Sequence, residues 1–151
     1  MQGRGPAPVI AHAKETAVDV RVRYSETDQM GVAYHAHYLQ WAEMGRTELL
    51  RLHGIRYREL EERGCLLVVA DAHVRIARSA RYDDLLRVTA WVTAVASRKV
   101  SFAYRIERAD DGQVLATVET DLVSLAADGR TARLPDDALI ALRALVVAPA
   151  S

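Results

Sequence analysis

The feature that most constrains this chain is one change of hydrophobic period within its first third, from two residues to between three and four. Val18, Val20, Val22 and Tyr24 alternate with Asp19, Arg21, Arg23 and Ser25, so one face of an extended segment is apolar and a strand is predicted. From His35 to about His53 the apolar set Tyr38, Trp41, Ala42, Gly45, Leu49 and Leu52 recurs at helical steps, which predicts one long helix. Gly45 inside that stripe weakens the helix by roughly 1 kcal/mol relative to Ala, so a neighbouring backbone is expected to come close there. Gly54 suits a C-terminal cap.

The rest of the chain returns to strand-like composition. A short helical stretch over 57–63 ends at Gly64, and β-rich segments follow at about 66–77, 85–97, 99–108 and 114–126. Asp111-Gly112 and Asp128-Gly129 mark turns, and Pro135 opens a final short helix. One long helix after the first strand, then consecutive strands with short connections, requires a mostly antiparallel sheet that buries its apolar face on the helix, an α+β architecture. Residues 1–16, with Gly3, Gly5, Pro6 and Pro8, read as a loose tail, and residues 17–146 as one domain. A single principal helix leaves sheet edges and one face uncovered, so a homodimer or homotetramer is expected.

Composition narrows the function classes. Twenty basic residues balance twenty acidic ones, which gives no global field for nucleic acid or an anionic membrane. The apolar run 138–148 is interrupted by Arg143 and is too short for a membrane span. The N-terminus carries no apolar block of signal-peptide length, and the single Cys65 has no disulfide partner within the chain; a cytoplasmic, reducing setting is expected. Cys65, flanked by Leu66, Leu67, Val68 and Val69, reads as a core residue.

Chemistry concentrates between the first strand and the long helix. There the loop Glu26-Thr-Asp28-Gln-Met-Gly31 leads through Tyr34 and His35 into the helix start. The backbone N–H groups at a helix N-terminus can polarise a carbonyl and stabilise an oxyanion. Asp28 could lie across that carbonyl as nucleophile or general base, or it could be a turn-forming carboxylate that accepts backbone hydrogen bonds. Glu26, continuing the polar face of the strand, reads as solvated. His35 and His37, two apart on a helix, point apart and do not form a metal pair, and no metal-ligand spacing, phosphate loop or Gly-x-Ser-x-Gly elbow is present; neither metal nor cofactor is expected.

The segment from Glu26 to Glu48, with Glu26-Thr-Asp28, Gly31-Val32, Tyr34-His35, Tyr38, Glu43 and Arg46-Thr-Glu48, resembles the signature of the 4-hydroxybenzoyl-CoA thioesterase family, in particular its bacterial acyl-CoA branch associated with the Tol-Pal system. Ala80-Arg-Tyr-Asp-Asp-Leu-Leu86 and Ser97-Arg-Lys-Val-Ser-Phe102 extend the resemblance, which runs over about residues 17–142. It implies a hot-dog fold, a curved antiparallel sheet wrapped around the long helix, with active sites at subunit interfaces. It also implies hydrolysis of acyl-CoA thioesters, with Asp28 as the catalytic carboxylate, the His35 amide polarising the carbonyl, and Tyr34 and Tyr38 at the substrate. Arg98 and Lys99 fall where such proteins bind the coenzyme A phosphates. Ser79 and Ile76 depart from the family's usual Pro and aromatic residue. A hot-dog hydratase or dehydratase and a non-catalytic acyl-CoA-binding module are the alternatives.

Overall fold

The computed structural model describes residues 8–12 and 14–148. Two short strands, β1 (Pro8–His12) and β2 (Glu15–Arg21), come first, and a 3-10 turn at Tyr24–Glu26 leads to the long helix α1 (His37–Leu52). The helix α2 (Tyr57–Glu62) is followed by β3 (Leu66–Ile76), β4 (Leu85–Ala96), β5 (Lys99–Arg108), β6 (Val114–Leu125) and α3 (Asp136–Ala144). All six strands form one antiparallel sheet in the order β1-β2-β4-β5-β6-β3.

The sheet bends around α1, which packs against β2, β4, β5 and β6. The inward sets are the alternating ones: Leu86, Val88, Ala90 and Val92 on β4, and Val100, Phe102, Tyr104 and Ile106 on β5, are buried with Tyr38, Trp41, Ala42 and Leu49 of the helix. At Gly45 helix and sheet approach closely. A Cβ added there would lie 3.1 Å from Val88 Cγ1, 3.4 Å from Ala90 Cβ and 3.7 Å from the Val88 carbonyl oxygen, so the sheet does come close, chiefly with side chains where the sequence predicts backbone. Gly54, at φ +78°, ends the helix as expected, with the Ile55 amide donating to the Leu50 carbonyl at 2.8 Å.

Three details differ from the sequence reading. Pro8–His12 is a strand paired with β2 (Pro8 opposite Val18, His12 opposite Glu15), where a loose tail was expected; the folded unit therefore begins upstream of residue 17, while residues 1–7 and 13 lie outside the described residues. β2 ends at Arg21, and Tyr24, read as the last inward residue of the strand, is 78% exposed because it opens the 3-10 turn. In α1, Leu52 stays exposed at the last helical position, whereas Leu50 joins the core with Ile55 and Leu60. Cys65 is buried, its thiol 3.2 Å from the Ser124 hydroxyl. Among the described residues no helix is long and apolar enough to cross a membrane.

Candidate active site

Residues 26–34 form a small hairpin between β2 and α1. Tyr34 N–H donates to the Glu26 carbonyl at 2.8 Å, Thr27 bridges Ala33, and Asp28 N–H donates to the Val32 carbonyl at 2.9 Å. The turn closes with Gly31 N–H on the Asp28 carbonyl at 3.0 Å, and Gly31 supplies the positive φ of +77°. Asp28 Oδ1 accepts the Met30 N–H at 2.8 Å, so the carboxylate does make the Asx turn that its sequence context allows. Only one oxygen is used in that bond. Among the described residues Oδ2 has no partner, and the side chain is exposed.

His35 follows the last rung of the hairpin directly. The helix begins two residues later than predicted, at His37, with Ala36 already in helical conformation as its cap. The amides of His37 and Tyr38 are taken up by the carbonyls of Tyr34 and His35, at 3.0 and 3.4 Å, whereas the His35 N–H makes no hydrogen bond among the described residues. Asp28 thus lies in the turn of the hairpin with one carboxylate oxygen unbonded among the described residues, and His35 directly follows the hairpin's last rung with an unbonded amide at the positive end of a helix. Tyr34, 47% exposed, stacks beside them with its ring centroid 4.3 Å from that of His35.

The other predicted site residues are distributed differently. Tyr38 is fully buried and its hydroxyl accepts the Ala80 N–H at 2.9 Å, so it fastens the 80–81 segment to the helix and does not face an open surface. Burial pushes its phenol above the usual tyrosine range, against the opposing effect of that amide. Ala80 in turn accepts the Ala33 N–H at 2.8 Å, and Arg81 bridges Val32, so this segment lies directly beside the Asp28 hairpin.

Arg98 and Lys99 sit at the β4–β5 turn. Lys99 Nζ is 3.4 Å from Asp121 Oδ2, and Arg98 is exposed, its carbonyl accepting the Ser124 N–H. Their position in the sheet matters more than these contacts. β2 pairs with β4 so that Arg21 faces Leu85, which puts the Asp28 hairpin at the start of β4, while Ala96 faces Lys99 at its end. Across the twelve residues of β4 that is a contour of roughly 36 Å. Arg98 and Lys99 therefore lie at the opposite end of β4 from the Asp28 hairpin.

Two charged residues that the sequence reading left aside prove to be buried. Glu26, expected to be solvated, is 3% exposed; its Oε1 accepts the Arg23 N–H at 2.7 Å and its Oε2 the Trp41 Nε1–H at 3.0 Å. Burial alone would raise its pKa, but the Arg23 amide, the Trp41 indole and the Arg23 guanidinium outweigh it and hold the carboxyl below the usual glutamate range. Arg46 is 6% exposed, its Nε donating to the Tyr57 hydroxyl at 2.7 Å and its Nη1 to the Tyr104 hydroxyl at 3.0 Å. Two adjoining cavities, of about 510 and 500 Å³, meet at Arg23, Glu26, Trp41 and Met44 on the β2 side of the helix. Neither is lined by Asp28 or His35, which stand in the open.

Comparison with known proteins identifies the family and the fold. The sequence pattern of the thioesterase-like superfamily matches residues 22–142, and the chain belongs to that superfamily. The solved structure of hypothetical protein TT1821 from Thermus thermophilus superimposes with a TM-score of 0.81 at 33% identity, covering 88% of this chain and 98% of that one. The DHNA-CoA thioesterase of Staphylococcus aureus gives 0.82 at 27% identity, covering 89% and 97%. The fold is thus the hot-dog α+β fold expected from the sequence. Among curated proteins, the acyl-CoA thioesterase YbgC of Haemophilus influenzae is 38% identical over 107 residues, 70% of this chain and 79% of its own length. The Bacillus subtilis protein YneP is 38% identical over 88 residues, 58% of this chain and 64% of YneP, so the match spans slightly less than two thirds of that relative.

Proposed function

We propose that the protein hydrolyses acyl-CoA thioesters to a free acid and coenzyme A. The observation that carries this reading is the free Asp28 oxygen in the hairpin and the free His35 amide directly after it at the start of α1, in a chain that belongs to the thioesterase-like superfamily. The His35 N–H holds the thioester carbonyl oxygen as it gains negative charge, and Asp28 attacks the carbonyl carbon or takes a proton from the attacking water. Tyr34 flanks the acyl group. The relative named an acyl-CoA thioesterase in Haemophilus influenzae supports the substrate class, and the motif at 26–48 supports the acyl-CoA branch associated with the Tol-Pal system. Cytoplasmic location accords with coenzyme A as substrate.

The active site is composite. β3 is one of the two terminal strands of the sheet, and Leu66, Val68, Val69 and Ile76 along it are 38–46% exposed, an apolar edge of the kind that a second copy covers. Leu66 lies at the Arg98 end of the sheet and Ile76 at the Asp28 end. A twofold antiparallel pairing of two β3 edges sets the Leu66 end of one copy beside the Ile76 end of the other. It brings Arg98 and Lys99 of one copy toward the other's Asp28, where they meet the coenzyme A phosphates. This explains why a pair so distant within one chain can serve one substrate, and a tetramer would be two such dimers.

The test is release of free thiol from a panel of short, long and aromatic acyl-CoA thioesters by the purified protein. Turnover of at least one of them is expected, and binding without thiol release across the whole panel would favour the non-catalytic module instead.

A further inference from the structure

Glu26 is a buried carboxylate that neither the hydrolytic step nor binding of coenzyme A uses. Burying such a group costs stability unless it is hydrogen-bonded, and here every contact it makes ties together pieces of the site. Oε1 holds the Arg23 N–H at the end of the β2 segment, Oε2 holds the indole N–H of Trp41 in the second turn of α1, and its own carbonyl holds the Tyr34 N–H. Asp28 is two residues beyond Glu26, and His35 is the residue after Tyr34. The Trp41 ring is itself wedged in the core, 5.0 Å from the Tyr38 ring.

We propose that Glu26 is a positioning residue for thioester cleavage, setting the Asp28 carboxylate against the His35 amide through its hydrogen bond to Trp41. This rests on the reading of Asp28 and His35 as the reacting groups. The hairpin has only two backbone rungs, and two rungs alone make a marginal structure in water. Beside the route through Ala33, Ala80 and the Tyr38 hydroxyl, the Glu26–Trp41 bond is the direct side-chain tie between the base of the hairpin and the helix whose first free amide must meet the substrate oxygen. Because the carboxylate acts as an anionic acceptor for three N–H groups, the Arg23 amide and guanidinium on Oε1 and the Trp41 indole on Oε2, an amide of the same shape turns a donor toward one side and weakens the clamp.

The experiment compares Glu26→Gln, Trp41→Phe, the double variant and Asp28→Asn in steady-state thioester hydrolysis, each below its own melting temperature. Both single changes should lower kcat by roughly 10- to 100-fold, the scale of a misplaced reacting group, with KM little altered. The double variant should be no worse than the poorer single one, since both remove the same bond. A folded Glu26→Gln protein with normal kcat, or losses that multiply in the double variant, would overturn the proposal. Should Glu26→Gln fail to fold, Trp41→Phe, which keeps an aromatic ring and lacks the N–H, carries the same comparison with the same contradicting result. Normal turnover by Asp28→Asn would remove the catalytic reading and this inference with it, whereas a crippled Asp28→Asn beside a normal Glu26→Gln would remove this inference alone.

Discussion

At the scale of single residues, the charged side chains divide into those that hold the fold and those left free for a ligand. Arg46 is of the first kind: a buried guanidinium whose bonded partners are phenols, with Phe102 5.9 Å beneath it. Burial pushes the Tyr57 and Tyr104 phenols above the usual tyrosine range against the pull of that cation, so both stay neutral acceptors at ordinary pH. Tyr104 continues the chain to the Thr120 hydroxyl at 2.7 Å, so one side chain joins α1, α2, β5 and β6. Arg46→Ala should cost roughly 3 kcal/mol, from two lost charge-assisted hydrogen bonds and the volume left empty. Arg46→Lys should restore less than half of it, because an ammonium cannot reproduce the fork of donors. Urea denaturation followed by circular dichroism measures both, and an unchanged midpoint for Arg46→Ala would contradict this account.

At the scale of elements, the sequence was legible wherever period alone decides structure. The strands at 66–76, 85–96, 99–108 and 114–125 and the helix at 57–62 lie within about two residues of their predicted ranges, and the last helix opens directly after Pro135. Gly45 announced its contact with β4 because a helix keeps a glycine at a buried position only at a cost. What was not legible depends on pairing or on hydrogen-bond partners. Pro8–His12 is too short to order itself and becomes a strand only against β2, which no local pattern reports. Glu26 was read as a solvated polar residue, yet it shares the even register of Val18, Val20 and Val22, and its burial rests on the Arg23 and Trp41 N–H groups, which no local pattern reports. Asp28 could be singled out, yet sequence could not say that its turn-forming bond and a free oxygen coexist.

At the scale of the whole molecule, the separation of Asp28 from Arg98 and Lys99 along the sheet makes a specific demand on assembly. On the composite-site proposal, an Asp28→Asn variant and an Arg98→Ala/Lys99→Ala variant each lack one half of every site in their own homodimers. Mixed after unfolding and refolding together, they form heterodimers in which one of the two sites is intact. Hydrolysis at low substrate concentration should then rise well above that of either variant alone, toward about a quarter of the normal rate if subunits pair at random. Mixing without any gain, in a protein shown by light scattering to be dimeric, would mean that both halves of the site come from one chain or that the two cations do not bind substrate.

The central claim is that Asp28 carries out the chemistry, and single-turnover cleavage of an acyl-CoA thioester by Asp28→Asn tests it most directly. Asn keeps the size of the side chain and an oxygen for the Met30 amide, so the turn should persist and substrate should still bind. It can neither attack as an anion nor take a proton from water, and the cleavage rate should fall by at least about 100-fold with the melting temperature nearly unchanged. Near-normal cleavage by the folded variant would reduce Asp28 to a turn residue and contradict the mechanism.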